Sequence, residues 1–579
     1  MSDPLKWWQK AIFYQIYPRS FADGNDDGIG DFPGITGKLD YLQDLGVDAL
    51  WLSPHYPSPQ FDCGYDITNY TAVAPEYGSL DDFKRFLQEA HQHGMRVILD
   101  LVLNHTSDQH PWFLESRSSL TNPYRDWYIW RDGITGIDGQ MHPPNNWNSL
   151  FDGQAWEYDS LTHQYYYHFF LKQQPDLNWR NPEVRKAMWS AARYWLDLGV
   201  DGFRLDAIAT IFEDPNLPDH SSEMTLASLH HLLRYAKTPE EQASVYILRD
   251  RMFQHQLQQP GMHELMQELR LVVNDYNDCV LVAEDDDISY QGDGDNELHL
   301  VFNFPLMRTD RLTPEWVRSN QRKRLASLEA ISPSAWPCNT FGNHDSPRVF
   351  SRYSDGIHDN QIARIALALV LTLRGTPFLY YGEEIGMVDL ILEDINQFRD
   401  RLGIWQYHAE IKEFGTPPQR ALEIASQLSR DRCRTPMQWS GMPNAGFSPA
   451  GVQTWLPINP NFASGINVED QLRDPDSLLS FYKRMIRLRK GTPALIEGDY
   501  IPIDEQAQDY LAFLRQCESQ TCLVLLNMSE HFQDVLFDFG KNPARLLFSS
   551  HRREMDEKIH DQLRLFPYEV MITEISLSI

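Results

Sequence analysis

Gly202-Phe203-Arg204-Leu205-Asp206-Ala207 is a short apolar run that ends in an acid. Leu281-Val282-Ala283-Glu284 and Phe341-Gly342-Asn343-His344-Asp345 end the same way. Buried strands whose carboxyl ends carry acids predict an α/β barrel with its chemistry at the C-terminal face.

The flanking sequence extends the pattern. Strand-like runs cover 11–17, 47–52, 96–102, 201–205, 279–283, 298–304, 337–341 and 377–381. Amphipathic stretches at 35–45, 80–93, 182–198, 263–276 and 360–373 read as helices between them. Eight strands with intervening helices predict a (β/α)8 TIM barrel over 1–104 and 180–491, closed by a helix at 478–490. Residues 105–179 are too long for a simple connection, and they predict a small irregular domain inserted after strand three. Residues 212–260 lengthen the loop after strand four, with part of it helical. They are expected either to line the acceptor side of a site or to form a surface helical hairpin. A further excursion spans 383–455. From 492 to 579 short alternating runs (510–515, 521–527, 534–539, 545–549, 568–572) predict a C-terminal antiparallel β domain of sandwich type.

The formal net charge of -30 disfavours nucleic acid and anionic membranes as partners and suits a neutral substrate. No run of about 18 apolar residues predicts a span. The N-terminus lacks the pattern of a signal peptide. Cys63, Cys279, Cys338, Cys433, Cys517 and Cys522 are scattered, without zinc-type spacing, and read as free thiols. A cytoplasmic enzyme, monomeric or homodimeric, is the expectation.

The three acids differ in their neighbours. Arg204 and Asp206 are two apart on a strand and face the same side. The guanidinium is expected to lower the pKa of Asp206 and keep it ionised, as a nucleophile requires. Glu284 ends an apolar strand, so desolvation should raise its pKa and suit a general acid. Asp285, Asp286 and Asp287 follow it and add like charge. His105 and His344 each stand beside Asn at a strand end, where imidazoles can bind sugar hydroxyls. Two facing carboxyls can cleave a glycosidic bond, and a gap of about 5 Å between Asp206 and Glu284 is expected for retention of configuration.

Four segments together resemble the recognition regions of the α-amylase superfamily, glycoside hydrolase family 13. They are Asp100-Leu101-Val102-Leu103-Asn104-His105, Gly202 to Ala207, the strand ending at Glu284, and Phe341 to Asp345, in family order. The resemblance implies Asp206 as nucleophile, Glu284 as acid/base and Asp345 as transition-state stabiliser, with Arg204, His105 and His344 assisting. Asp62-Cys63-Gly64-Tyr65-Asp66-Ile67 is similar to the segment with which exo-acting α-glucosidases grip a terminal glucose. It implies that Tyr65 stacks on the sugar, that Asp62 accepts its hydroxyls and that Arg430 pairs with Asp62. Cys63 replaces the usual Asn there. Ala207 stands where α-1,6-preferring relatives carry Val, which favours α-1,4 linkages.

The loop 23–31 has oxygens at alternate positions, yet Gly34 stands where an EF-hand has its bidentate Glu. It resembles the structural Ca2+ (or Mg2+) loop of this branch, with Asp23, Asn25, Asp27 and Asp31 as side-chain ligands and Ile29 through its carbonyl. No organic cofactor is implied. The expected activity is retaining, exo-acting cleavage of glucose from small α-glucosides. A transglucosylase or glucosyl isomerase using the same intermediate stays open. A non-catalytic scaffold would be expected to have lost these acids.

Overall fold

The computed structural model describes residues 4–151, 153–222, 224–538, 544–551, 558–559 and 561–575. Eight parallel strands form one sheet: β1 (Phe13–Ile16), β2 (Ala49–Leu52), β3 (Arg96–Val102), β4 (Gly202–Asp206), β5 (Val280–Ala283), β6 (Leu300–Val301), β7 (Cys338–Thr340) and β8 (Thr376–Tyr380). Their order is β6-β5-β4-β3-β2-β1-β8-β7, and a parallel bridge between Phe302 and Cys338 joins the two ends into a barrel. Closure leaves no exposed edge, so the strands can be buried on both sides. β6 pairs with β5 over two residues and β7 with β8 over three.

Helices sit where the 3.6-residue period places them, and local signals set their ends. Ser79 and Asp82 form a capping box at the start of Leu80–Gln92. Asn181 caps Pro182–Asp197, with Pro182 in the first turn. The expected helix over 35–45 is two pieces, Phe32–Thr36 and Leu39–Leu45. Asp31 caps the first piece by accepting from Gly34 N.

Trp51, Ile98, Val280, Val282, Leu300, Phe302 and Phe378 pack the barrel interior. Gly202, at φ 145°, lets β4 meet β5 closely: a Cβ there would lie 2.0 Å from the Val280 carbonyl oxygen. That contact fixes the register of Arg204 and Asp206, the residues that β4 carries to the top.

The segment after β3 is more ordered than its sequence suggested. Trp130–Arg131, Gln164–Tyr167 and Trp156–Asp159 form a three-stranded antiparallel sheet. It returns to the barrel at Leu177, whose N–H donates to the Asn104 carbonyl. The segment 212–260 contains the helices Leu226–Tyr235 and Pro239–Phe253, a hairpin. The excursion 383–455 contains two more, Arg401–Phe414 and Pro418–Leu428, which the composition had not revealed. The two pairs lock together. Arg234 bonds the buried Glu410 at 2.6 Å, and His230 lies 3.0 Å from Gln406.

At the C-terminus a six-stranded sheet runs in the order Asp499–Ile503, Tyr510–Gln516, Thr521–Asn527, Val570–Ile575, Ala544–Ser549, Lys558–Ile559. A second sheet, Gln533–Leu536 with Gln562–Leu565, covers part of one face, and Val535, Leu563 and Leu565 share its core with Leu523 and Leu525. Position 539, the end of one expected strand, lies outside the described residues. No helix among the described residues is long and apolar enough to cross a membrane.

Candidate active site

β4 and β5 are in register so that Val282 lies opposite Arg204, and β3 places Asp100 opposite it on the other side. The Arg204 guanidinium, fully buried, therefore meets three carboxylates. Its Nη1 lies 2.7 Å from Asp206 Oδ1 and 3.2 Å from Asp100 Oδ2, and its Nη2 lies 2.8 Å from Glu284 Oε2. Trp51 supports it from below, its ring 5.1 Å away and its indole N–H bonded to Asp100 at 2.7 Å. Asp206 and Glu284 are thus held on adjacent nitrogens of one planar fork. Glu284 Oε2 also accepts from Ala207 N at 2.9 Å, so Oε1 is the oxygen without these anchors.

One cation shared among three carboxylates changes the electrostatics expected of Asp206. Burial, followed by the charge on Glu284, pushes its carboxyl well up, and Arg204 offsets only part of this. The reading that Arg204 would lower Asp206 is corrected: pairing was legible, sharing was not. Burial also lifts Asp100 to about 6 against the pull of Arg204.

Asp345 has the opposite environment. Burial raises it, but the Arg434 and Arg430 guanidinium groups hold it well below the usual carboxylate range. Arg434 bonds Asp345 Oδ1 directly and Arg430 Nη1 lies 3.6 Å from the same oxygen. Desolvation drives His344 well below its usual value, so its ring is neutral. Its Nδ1 lies 2.7 Å from Gln15 and its Nε2 2.5 Å from the Tyr65 hydroxyl. The two rings stack at 5.4 Å. Burial takes His105 down to about 3, so it too is neutral.

A second charge cluster, around Arg430, stands on the cavity lining. Arg430 Nη2 bonds Asp62 Oδ1 at 2.7 Å and Asp400 Oδ1 at 2.7 Å. Gln174 donates to the other Asp62 oxygen at 3.0 Å and lies 2.9 Å from His105 Nε2. The Phe151 ring lies 4.9 Å from the Arg430 guanidinium.

A cavity of about 690 Å³ brings these groups together. Asp62, Tyr65, His105, Asp206, Glu284, Asp345 and Arg430 line it, as do Phe151, Phe169 and Phe170 of the inserted segment. Arg204 and His344, expected at the substrate, lie beneath the lining and act by holding the acids and Tyr65. Arg434 and Asp400 were not singled out from sequence. A second arginine four residues after Arg430, and an Asp immediately before the helix at 401, were the available signals. Arg249, Asp250, Phe253, Gln254, Leu257, Gln258 and Gln259 of the hairpin segment line the cavity, so this segment reaches it.

The loop 23–31 lies away from this cavity. Asp23 Oδ1 accepts from the amides of Asn25, Asp26 and Asp27, and Asn25 and Asp27 accept from Asp27 and Ile29. Asp31, expected to be a ligand, spends its oxygens on Gly24 N and Gly34 N as a helix cap, and burial lifts it to about 6. Its oxygens are of the hard class that Ca2+ takes, but among the described residues no group of three or more acids, histidines or cysteines is placed to hold a metal ion.

The family model for the alpha-amylase catalytic domain matches residues 15–498. The chain belongs to the α-amylase family. It is a glycoside hydrolase of family 13. It is 39% identical to an oligo-1,6-glucosidase from Parageobacillus thermoglucosidasius over 99% of both chains. It is equally 39% identical to an alpha-glucosidase from Pediococcus pentosaceus, with full coverage of both. Among solved structures, trehalulose synthase from Pseudomonas mesoacidophila MX-45 matches with a TM-score of 0.86 at 37% identity, covering 99% of this chain and all of the other. An isomaltulose synthase mutant from Erwinia rhapontici NX5, solved with sucrose, matches with 0.85 at 36% identity and the same coverage.

Proposed function

We propose that this chain is a retaining, exo-acting α-glucosidase that releases glucose from the non-reducing ends of small α-glucosides. The observation that supports the exo reading is Arg430, held between Asp62 and Asp400 on the cavity lining, where it would cap the site beyond a terminal glucose. A chain end fits against that closure, whereas the middle of a polysaccharide does not.

Asp206 attacks the anomeric carbon while Glu284, through Oε1, protonates the glycosidic oxygen. The anomeric C–O bond breaks and a glucosyl ester forms on Asp206. Glu284 then takes a proton from water, whose oxygen attacks the same carbon and frees Asp206, so two inversions give retention. Asp345 is already ionised and accepts hydrogen bonds from hydroxyls of the flattened, positively charged transition state. Asp62 and neutral His105 orient the terminal glucose. Support for this division is the shared guanidinium, which keeps both carboxyls close together at the base of one cavity.

Ala207 lines the cavity where α-1,6-preferring relatives carry the larger Val, and this supports the α-1,4 linkage. The names of several relatives point towards α-1,6 linkages instead. Transfer of glucosyl to a second sugar is the second reading, and the likeness to trehalulose and isomaltulose synthases favours it. The loop 23–31 is proposed to hold one structural Ca2+ (or Mg2+) through Asp23, Asn25, Asp27 and the Ile29 carbonyl, with no part in the bond cleavage. Free cysteines support a reducing, cytoplasmic location.

A panel of maltose, isomaltose, sucrose, trehalose and maltotriose with product identification tests the assignment. Glucose as main product, with maltose cleaved faster than isomaltose, is expected. A dominant new disaccharide from sucrose would replace hydrolysis with isomerisation.

A further inference from the structure

The polar ends of the cavity fix its direction. Asp62 and Arg430 hold the terminal sugar, and Glu284 lies on the side where the bond is broken. Glu284 accepts from Ala207 N, and Ala207, Ala209 and Thr210 line the cavity with it. A leaving sugar, or an incoming acceptor, therefore lies against this second wall.

The wall is completed by the segment that follows the hairpin helix Pro239–Phe253. Phe253 anchors it, its ring 5.6 Å from Phe169 across the cavity. Most polar side chains here are already committed. Gln256 is buried and donates to Asn148 O and to the Tyr167 hydroxyl. Gln259 donates to Gln254 O and Leu257 O, and Gln254 lies 2.9 Å from His255 Nε2.

Gln258 differs. Its N–H donates to Ala209 O at 2.8 Å, which ties its backbone to the turn two residues beyond Ala207. Its φ is +53°, a left-handed conformation that disfavours a residue with a Cβ. Its side chain is exposed, lines the cavity and carries no hydrogen bond among the described residues. An amide held in a strained backbone position on the leaving-group wall, with both its donor and its acceptor unspent, suits a neutral ring of hydroxyls.

We propose that Gln258 is a specificity residue that hydrogen-bonds the second sugar of a disaccharide, as leaving group and as acceptor. This rests on the glucosidase reading above. The test compares maltose with phenyl α-glucoside, whose leaving group offers no hydroxyl. Gln258→Gly removes the amide and accepts the left-handed backbone, and Gln258→Asn keeps an amide on a residue that also tolerates it. One neutral hydrogen bond of about 0.5–1.5 kcal/mol predicts a roughly 2–10-fold fall in kcat/KM for maltose in the Gly variant. Phenyl glucoside should change by less than about 1.5-fold, and Asn should recover part of the maltose loss. An equal loss on both substrates, or none on maltose, overturns the role of Gln258. Absence of phenyl glucoside turnover in the unmodified enzyme overturns the glucosidase reading beneath it, and with it this proposal.

Discussion

Arg430→Ala tests the charge closure of the pocket. The guanidinium side chain is 11% exposed and its partners Asp62 and Asp400 are 5% and 0% exposed. Besides the two 2.7 Å contacts, Arg430 donates to Asp400 through Nε at 3.1 Å and through its backbone N–H at 2.7 Å. The backbone bond survives the substitution and the side-chain bonds do not. Two buried carboxylates then lose the cation that bonds both, with only the more distant Arg434 charge remaining, and breaking a buried pair in this way costs about 3–5 kcal/mol. The sign with pH follows from the protons. In the native site burial raises Asp62, while Asp400 is held low because Arg430 outweighs its burial. Without the guanidinium both carboxyls are raised above their unfolded values, so the folded state binds more protons and loses stability as pH rises. The deficit relative to the native protein should be largest near pH 8 and shrink towards pH 4. Adding Asp62→Asn should recover part of it. Denaturant unfolding at several pH values measures this, with maltose kinetics alongside. Misplacing Asp62 removes a charge-assisted hydrogen bond of about 1.5–3 kcal/mol, so kcat/KM should fall roughly ten- to hundred-fold. A variant as stable as the native protein at pH 8, or one that loses more at pH 4, would refute the buried-clamp reasoning.

Asp206→Asn should lower turnover by about 10⁴-fold or more, and Glu284→Gln should cost about 10²–10⁴-fold on maltose and less on phenyl α-glucoside. Because the folded-state pKa of Asp206 is raised, its ionised form costs stability increasingly as pH rises through that value. Asp206→Asn should therefore be more resistant to heat than the native enzyme at neutral pH, with the gain vanishing in acid. A variant less stable at pH 7.5 than the native chain contradicts this. Chelation with EDTA should lower Tm and Ca2+ restore it, since a ligand at 100 times its Kd adds about 2.7 kcal/mol. A Tm indifferent to both removes the cation from the 23–31 loop.

Strand periodicity and chain order were enough to place Asp206, Glu284 and Asp345 at the ends of β4, β5 and the run after β7. Apolar runs of this length have few other solutions once helices separate them. Helices in 383–455 were harder to see, because Arg401–Phe414 mixes polar and apolar residues and its caps give the only sharp signal. The inserted sheet after β3 escaped for a similar reason: its strands are two to four residues long, shorter than a periodicity can reveal.

By itself the sequence determined the barrel, the placement of the three acids at strand ends and the pairing of Arg204 with Asp206, since period two on one strand is local information. Tertiary structure alone decided that Arg204 is divided among Asp100, Asp206 and Glu284, because those acids come from three strands. It also decided that Arg434 joins Arg430 at Asp345, that Asp400 clamps Arg430, and that Gln258 reaches the wall beside Ala207. Electrostatic strength depends on distance and burial in space, and neither is a property of any one segment.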